Sequence, residues 1–272
     1  MPRRRVLVTG ATGSLAEQLL PAFRGRYDLR LIDARSTTKN GAAVEGVEVF
    51  DLLDDDLATL RPLVEGLDAI VHLAFAPVDD AAPYESQRRN VDMTQRVYQL
   101  ALDVGVPRVV AASTNQAAKW YEHPYYAKLR DRVLPADYPR PDSFYGWAKA
   151  AYESLGFLYA CGSLGRKLEV ILLRIVAPRE IDAAAFVDQP RERYVRDLAG
   201  YISERDLQQL FVRSIETPGI EDEYGVPFHI FYGVSNNART FWSITNARRV
   251  SGYQPEDDSE VRFAADIARL LR

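Results

Sequence analysis

Residues 6–16, Val-Leu-Val-Thr-Gly-Ala-Thr-Gly-Ser-Leu-Ala, restrict the fold more than any other stretch. Residues 5–8 lead into the segment with an apolar, β-branched run, which suits a strand covered on both faces. Gly10 then lets the chain reverse tightly. Gly13 lacks a Cβ, so its backbone can close on a pyrophosphate at the N-terminus of the next helix. Ala16 stands where the third small residue of G-x-G-x-x-G/A packs that helix on the sheet. The spacing, G-x-x-G-x-x-A, departs from that pattern, and the strand–turn–helix setting carries the reading. Asp33 ends the next apolar strand, twenty positions after Gly13. A carboxylate there accepts hydrogen bonds from an adenosine ribose and argues for NAD over NADP. Arg35 stands close enough in sequence to meet a 2′-phosphate.

The remaining periodicities extend this start into one large α/β domain. Strands are expected at residues 29–33, 47–50, 68–74, 108–113, 168–174 and 226–232. Helices are expected from Leu57, over 84–103, from Asp142 or Ser143 to Ala160, over 203–215, and at the end of the chain. Alternating strands and helices predict a Rossmann-type, doubly wound parallel sheet. Residues 1–175 form mainly the nucleotide-binding core. Residues 176–272 should form mainly a small C-terminal cap over the carboxyl edge of the sheet. Residues 120–141 read as a long aromatic loop, and 177–200 as an irregular, arginine-dense segment.

Charge and composition exclude several classes. The net charge of −4 gives no case for nucleic acid or an anionic membrane. Arg3-Arg4-Arg5 reads as a solvated tail. The apolar run after it is too short for a signal-peptide core or a membrane span, so a cytoplasmic location is expected. A single cysteine, Cys161, excludes an internal disulfide and a cysteine zinc site. His72, His123 and His229 lie far apart, so no metal site is expected. His72 falls inside a buried strand and reads as a core histidine with satisfied hydrogen bonds.

Tyr145 and Lys149 lie four apart on an expected helix and share one face. A tyrosine is a poor base at neutral pH, and a fixed ammonium beside it favours the phenolate. The pair can therefore act as a general base on an alcohol. Thr114, at the end of the fifth strand, can hold the reacting oxygen. Asp51 has two readings, a hydrogen bond to an adenine amine or an N-cap for the helix from Leu57.

Thr9-Gly-Ala-Thr-Gly-Ser-Leu-Ala16, residues 68–74, Ser113-Thr114 and Tyr145-Gly-Trp-Ala-Lys149 together resemble the extended short-chain dehydrogenase/reductases, the NAD-dependent epimerase/dehydratase group. Ala112-Ser-Thr-Asn-Gln116, residues 140–146 and Leu173-Arg-Ile175 resemble uronate dehydrogenases and related sugar dehydrogenases. The resemblance implies Thr114, Tyr145 and Lys149 as the catalytic set. It implies Gly10, Thr12, Gly13, Ser14, Leu15, Asp33, Asp51, Leu52, Leu73, Ala74, Phe75, Asn90, Tyr145 and Lys149 around NAD. Asn115 matches the family's substrate motif, and Arg196 matches an arginine that clamps the uronate carboxylate. Gln116 replaces a histidine that contacts sugar hydroxyls, and Ala177 replaces a serine of the pocket. Phe75 and Trp242 have two readings, packing on the apolar face of a sugar or packing in the core. The reaction implied is NAD-dependent oxidation of an anionic sugar, such as a uronate or sugar phosphate, at its anomeric hydroxyl to the lactone. A sugar epimerase or dehydratase, and a non-catalytic NAD(P)-sensing module, are the alternatives. The intact Thr114, Tyr145 and Lys149 set argues against the sensor. By analogy the helices from Tyr84 and Asp142 form a homodimer interface.

Overall fold

The computed structural model describes residues 3–271. Seven strands form one parallel sheet: β1 (Arg5–Thr9), β2 (Asp28–Asp33), β3 (Val47–Val49), β4 (Ala69–His72), β5 (Arg108–Thr114), β6 (Glu169–Ile175) and β7 (Phe228–Gly233). Their order is β3-β2-β1-β4-β5-β6-β7. The order reverses between β1 and β4, and the crevice above that switch point is where open α/β sheets bind ligands.

Alternate residues of each central strand enter different cores. Val6, Val8, Val110, Ala112, Ile171 and Leu173 join one cluster, with Leu19 and Phe23 of α1 (Ser14–Arg26) and Leu207, Leu210 and Phe211 of α7 (Glu204–Glu216). Leu7, Val109, Ala111, Val170 and Leu172 join the other, with α2 (Leu57–Val64), α3 (Pro83–Val104) and α5 (Phe144–Ala160). Burial on both faces explains why these strands are apolar without alternation. Burying each valine, leucine, isoleucine or phenylalanine among them contributes about 1.5–3 kcal/mol.

The strand expected at 226–232 forms β7, which pairs with β6 in parallel register. Other segments differ from expectation. Residues 115–126 are helical, a 3₁₀ turn over Asn115–Tyr121 followed by α4 (Glu122–Tyr126). The arginine-dense segment contains α6 (Arg191–Gly200), whose Tyr194 and Leu198 enter a small cluster with Ile181, Tyr201 and Phe263. The chain ends in α8 (Thr245–Ser251), α9 (Ser259–Arg262) and α10 (Ala264–Leu270). Arg4 is not a free tail: its guanidinium donates to the Ile215 and Glu216 carbonyls at the end of α7, where a cation complements the helix dipole. Ser143 is the N-cap of α5, accepting from Gly146 N.

Candidate active site

The first turn above the switch point is shaped for a pyrophosphate. Gly10 has φ +71°, and a Cβ there would stand 2.5 Å from Ala74 N. A side chain is excluded by conformation and by space. Gly13 caps α1 without a side-chain hydrogen bond, so the first amides of α1 can face an anion. Ser14 is exposed and Leu15 half-buried at this rim. Asp33 Oδ2 accepts from Thr12 N at 3.0 Å and Thr12 Oγ1 at 2.8 Å. These bonds aim the carboxylate at the turn. The Arg35 guanidinium stays near Thr12 Oγ1 at 3.4 Å.

Asp51 and Asn90 both hydrogen-bond within the chain. Asp51 Oδ1 accepts from Leu53 N at 2.8 Å. Asp56, not Asp51, caps α2 by accepting from Ala58 N. Leu52 is buried in the core beside Asp51. The Asn90 side chain accepts from Ala76 N at 2.7 Å and donates to the Ala76 and Ser86 carbonyls. It therefore fixes the loop after β4, where Leu73 and Ala74 are half-buried. His72 is a core histidine: Thr9 Oγ1 lies 2.8 Å from Nδ1 and Thr94 Oγ1 3.1 Å from Nε2. Burial, with the charge of Lys149 adding to it, pushes its pKa down to about 3.

Tyr145 is brought to the end of β5 by a close approach of α5. A Cβ at Gly146 would stand 2.4 Å from the Gln116 carbonyl oxygen. Only glycine lets the first turn of α5 rest on the turn that follows Thr114. Burial raises the Tyr145 pKa, and a hydrogen bond with the Thr114 hydroxyl opposes the rise. Thr114 Oγ1 also accepts from Gln116 N and caps the 3₁₀ turn. The Phe75 ring meets Tyr145 edge-on, with centroids 5.5 Å apart.

Lys149 lies one turn further along α5. Its Nζ donates to the Ala112 carbonyl at 2.9 Å and lies 4.2 Å from the Tyr152 ring centroid and 5.1 Å from that of Phe75. Burial lowers its pKa to about 7, and the Glu153 carboxylate partly offsets this. The unfolded chain keeps this proton to about 10.5, while the folded chain releases it near 7. Between those values the unfolded state binds more protons, so Lys149 makes the fold gain stability as pH rises. The urea midpoint of the native chain is expected to climb more steeply from pH 7 to 9.5 than that of Lys149→Met. Parallel curves would refute the burial assignment.

A buried ion pair that sequence reasoning missed supports this corner. Glu153 and Arg174 pair at 2.7 and 2.8 Å. Ser113 Oγ donates to Glu153 Oε1 at 2.8 Å, and Arg174 Nη1 donates to the Tyr232 hydroxyl at 3.0 Å. The network ties α5 to β5, β6 and β7. An acid four residues after Lys149 and an arginine in an apolar strand were the sequence signals.

The expected substrate residues divide into two groups. Asn115 and Arg196 come together on Glu122, another residue not anticipated. Asn115 Nδ2 donates to Glu122 Oε1 at 3.2 Å. Arg196 Nε and Nη2 donate to the two Glu122 oxygens, each at 2.9 Å. Burial works against the Arg196 charge, and the Glu122 carboxylate outweighs it and raises the pKa. Thr114 Oγ1 lies 3.4 Å from Asn115 Oδ1, so a polar chain runs from Tyr145 to Arg196. Gln116, half-buried, follows in the same turn. Ala177 and Trp242 do not offer faces to a sugar. Ala177 is buried, its amide bonded to Gly200 O and its carbonyl to Ile202 N. Trp242 is 2 % exposed, stacked on Phe241 at 3.9 Å with the Arg196 guanidinium 5.7 Å from its ring.

This fold and site define a Rossmann-type oxidoreductase with a tyrosine–lysine pair. Residues 6–178 match the NAD dependent epimerase/dehydratase family, and the chain belongs to that family. A NAD-dependent glucose-6-phosphate dehydrogenase of Haloferax volcanii is 34% identical over 263 residues, 93% of this chain and 94% of the relative. An L-arabinose 1-dehydrogenase (NAD(P)(+)) of the same organism is 32% identical, covering 94% and 97%. Among solved structures, uronate dehydrogenase from Agrobacterium tumefaciens superposes with TM-score 0.76 at 25% identity, covering 99% of this chain and 90% of that one. Among the described residues no helix is long and apolar enough to cross a membrane, and no cluster of candidate metal ligands occurs.

Proposed function

We propose that this chain is a sugar dehydrogenase that oxidises an anomeric hydroxyl to the lactone with NAD. The carrying observation is the seating of Tyr145 against Thr114 by Gly146, above a glycine turn that excludes any side chain at Gly10. The residues fit the cofactor: the α1 N-terminus offers amides to the pyrophosphate, and Asp33 presents a carboxylate to the ribose. NAD, when bound, accepts the hydride from the sugar C1.

Tyr145 takes the proton of the anomeric hydroxyl as the C1–O double bond forms. Thr114 holds that oxygen by a hydrogen bond. Lys149, when charged, favours the phenolate. Phe75 borders the same space. The balance is sugar and oxidised cofactor to lactone, reduced cofactor and one proton. The same reading places the enzyme in the cytoplasm, paired as a homodimer through α3 and α5.

The test is a panel of aldoses, uronates and sugar phosphates with NAD, followed by NADH absorbance and by lactone detection. The expected result is stoichiometric NADH and lactone with at least one sugar, and at least a tenfold lower kcat/KM with NADP. Epimerised sugar without net NADH would overturn the reading.

A further inference from the structure

The end of the site remote from Tyr145 has its charges already matched. Arg196 offers five N–H donors in a planar fork. Nε and Nη2 are held by Glu122, and Nη1 lies 3.4 Å from Asp197 Oδ1. Trp242 stands over the guanidinium. The other Asp197 oxygen accepts from Arg179. An incoming carboxylate or phosphate would be the third anion around one guanidinium. To take the Nε–Nη2 edge it would have to displace Glu122, whose side chain is only 11 % exposed, and at the Nη1–Nη2 edge it would meet the Asp197 carboxylate. A buried carboxylate left without its partner is strongly disfavoured.

Glu122 also keeps capacity for a neutral ligand. A carboxylate has about four lone-pair sites. Oε1 accepts from Arg196 Nη2 and from Asn115 Nδ2, while among the described residues Oε2 accepts only from Arg196 Nε. The remaining site on Oε2 can accept from a sugar hydroxyl. The Asn115 link places this acceptor on the polar chain that begins at Tyr145.

We propose that Glu122 sets the charge class of the substrate: by holding Arg196, it fits the cleft to an uncharged aldose and turns carboxylate- and phosphate-bearing sugars away. This rests on the sugar-dehydrogenase reading above, and it gives Arg196 a role other than the anion clamp that the resemblance implies. Glu122 is thus a specificity residue that contacts the sugar at a hydroxyl remote from C1.

Titration calorimetry with NADH present, using glucose and glucuronate, tests it apart from turnover. The two probes share one ring and differ in charge at C6. The native chain is expected to bind glucose at least tenfold more tightly than glucuronate. Glu122→Gln should narrow that ratio at least tenfold by gaining affinity for glucuronate. Glu122→Gln/Arg196→Met should lose the gain, because it depends on the freed guanidinium. Should Glu122→Gln fail to fold, Glu122→Asp, which retains charge and loosens the pairing, should shift the ratio the same way by a smaller factor. A native preference for glucuronate, binding of neither sugar, or a ratio unmoved by the Glu122 variants overturns the proposal. Binding with the expected ratio but without NADH formation from NAD would support it while refuting the dehydrogenase reading.

Discussion

Tyr145→Phe will lower kcat by about 10³-fold, within the range a positioned acid–base group supplies, and will leave NAD affinity nearly unchanged. The hydroxyl is the only atom removed. The ring keeps its edge contact with Phe75, so the walls of the cleft stay in place. The glycine turn and Asp33 lie on β1, α1 and β2, apart from this side chain. Steady-state rates with the best sugar of the panel, alongside fluorescence titration of NADH, separate the two effects. A variant that turns over at the native rate removes Tyr145 from the mechanism. A variant that also loses NADH shows that the phenol holds the cofactor as well.

Arg174→Met will cost about 3–5 kcal/mol of folding stability, the range for stripping one partner from a buried ion pair. The Arg174 side chain is fully buried and that of Glu153 is 3 % exposed. Without the guanidinium, the Glu153 carboxylate keeps, among the described residues, only Ser113 as a hydrogen-bond donor, and the Tyr232 hydroxyl loses its donor. Urea unfolding by circular dichroism reads the loss. Arg174→Met/Glu153→Leu, which removes both charges, should recover most of it, since replacing a whole buried pair with apolar groups is often neutral. A single variant as stable as the native chain would mean that the pair is dispensable to the fold.

The sheet and the cofactor turn were legible because their signals are local. A two-sided apolar strand, a glycine at a turn and a carboxylate ending the next strand each depend on neighbouring residues. Tyr145 and Lys149 were legible because helical spacing alone puts them on one face. The Glu122–Arg196 pair was not, because its partners lie 74 positions apart and meet only when α4 and α6 form. Neither helix was expected. In α6 the arginines mask a short apolar pair, Tyr194 and Leu198, and in α4 Pro124 and clustered aromatics suggest a loop. Trp242 was ambiguous for another reason: a tryptophan serves equally well as a sugar platform or as core, and only its stacking on Phe241 decides. Asn90 bonds to Ala76 and Ser86 in the β4–α3 region, a loop anchor that no local pattern announces.

The contact of Gly146 with the Gln116 carbonyl has an evolutionary reach. It joins the proton-transfer group to the edge of the sheet through backbone, with no side chain in between. Glu122 and Arg196 sit on short helices outside that joint. Substitutions on those helices can retune which sugar is accepted while the reacting tyrosine stays where it is. Inheritance can therefore explore new substrates one helix residue at a time without rebuilding the chemistry.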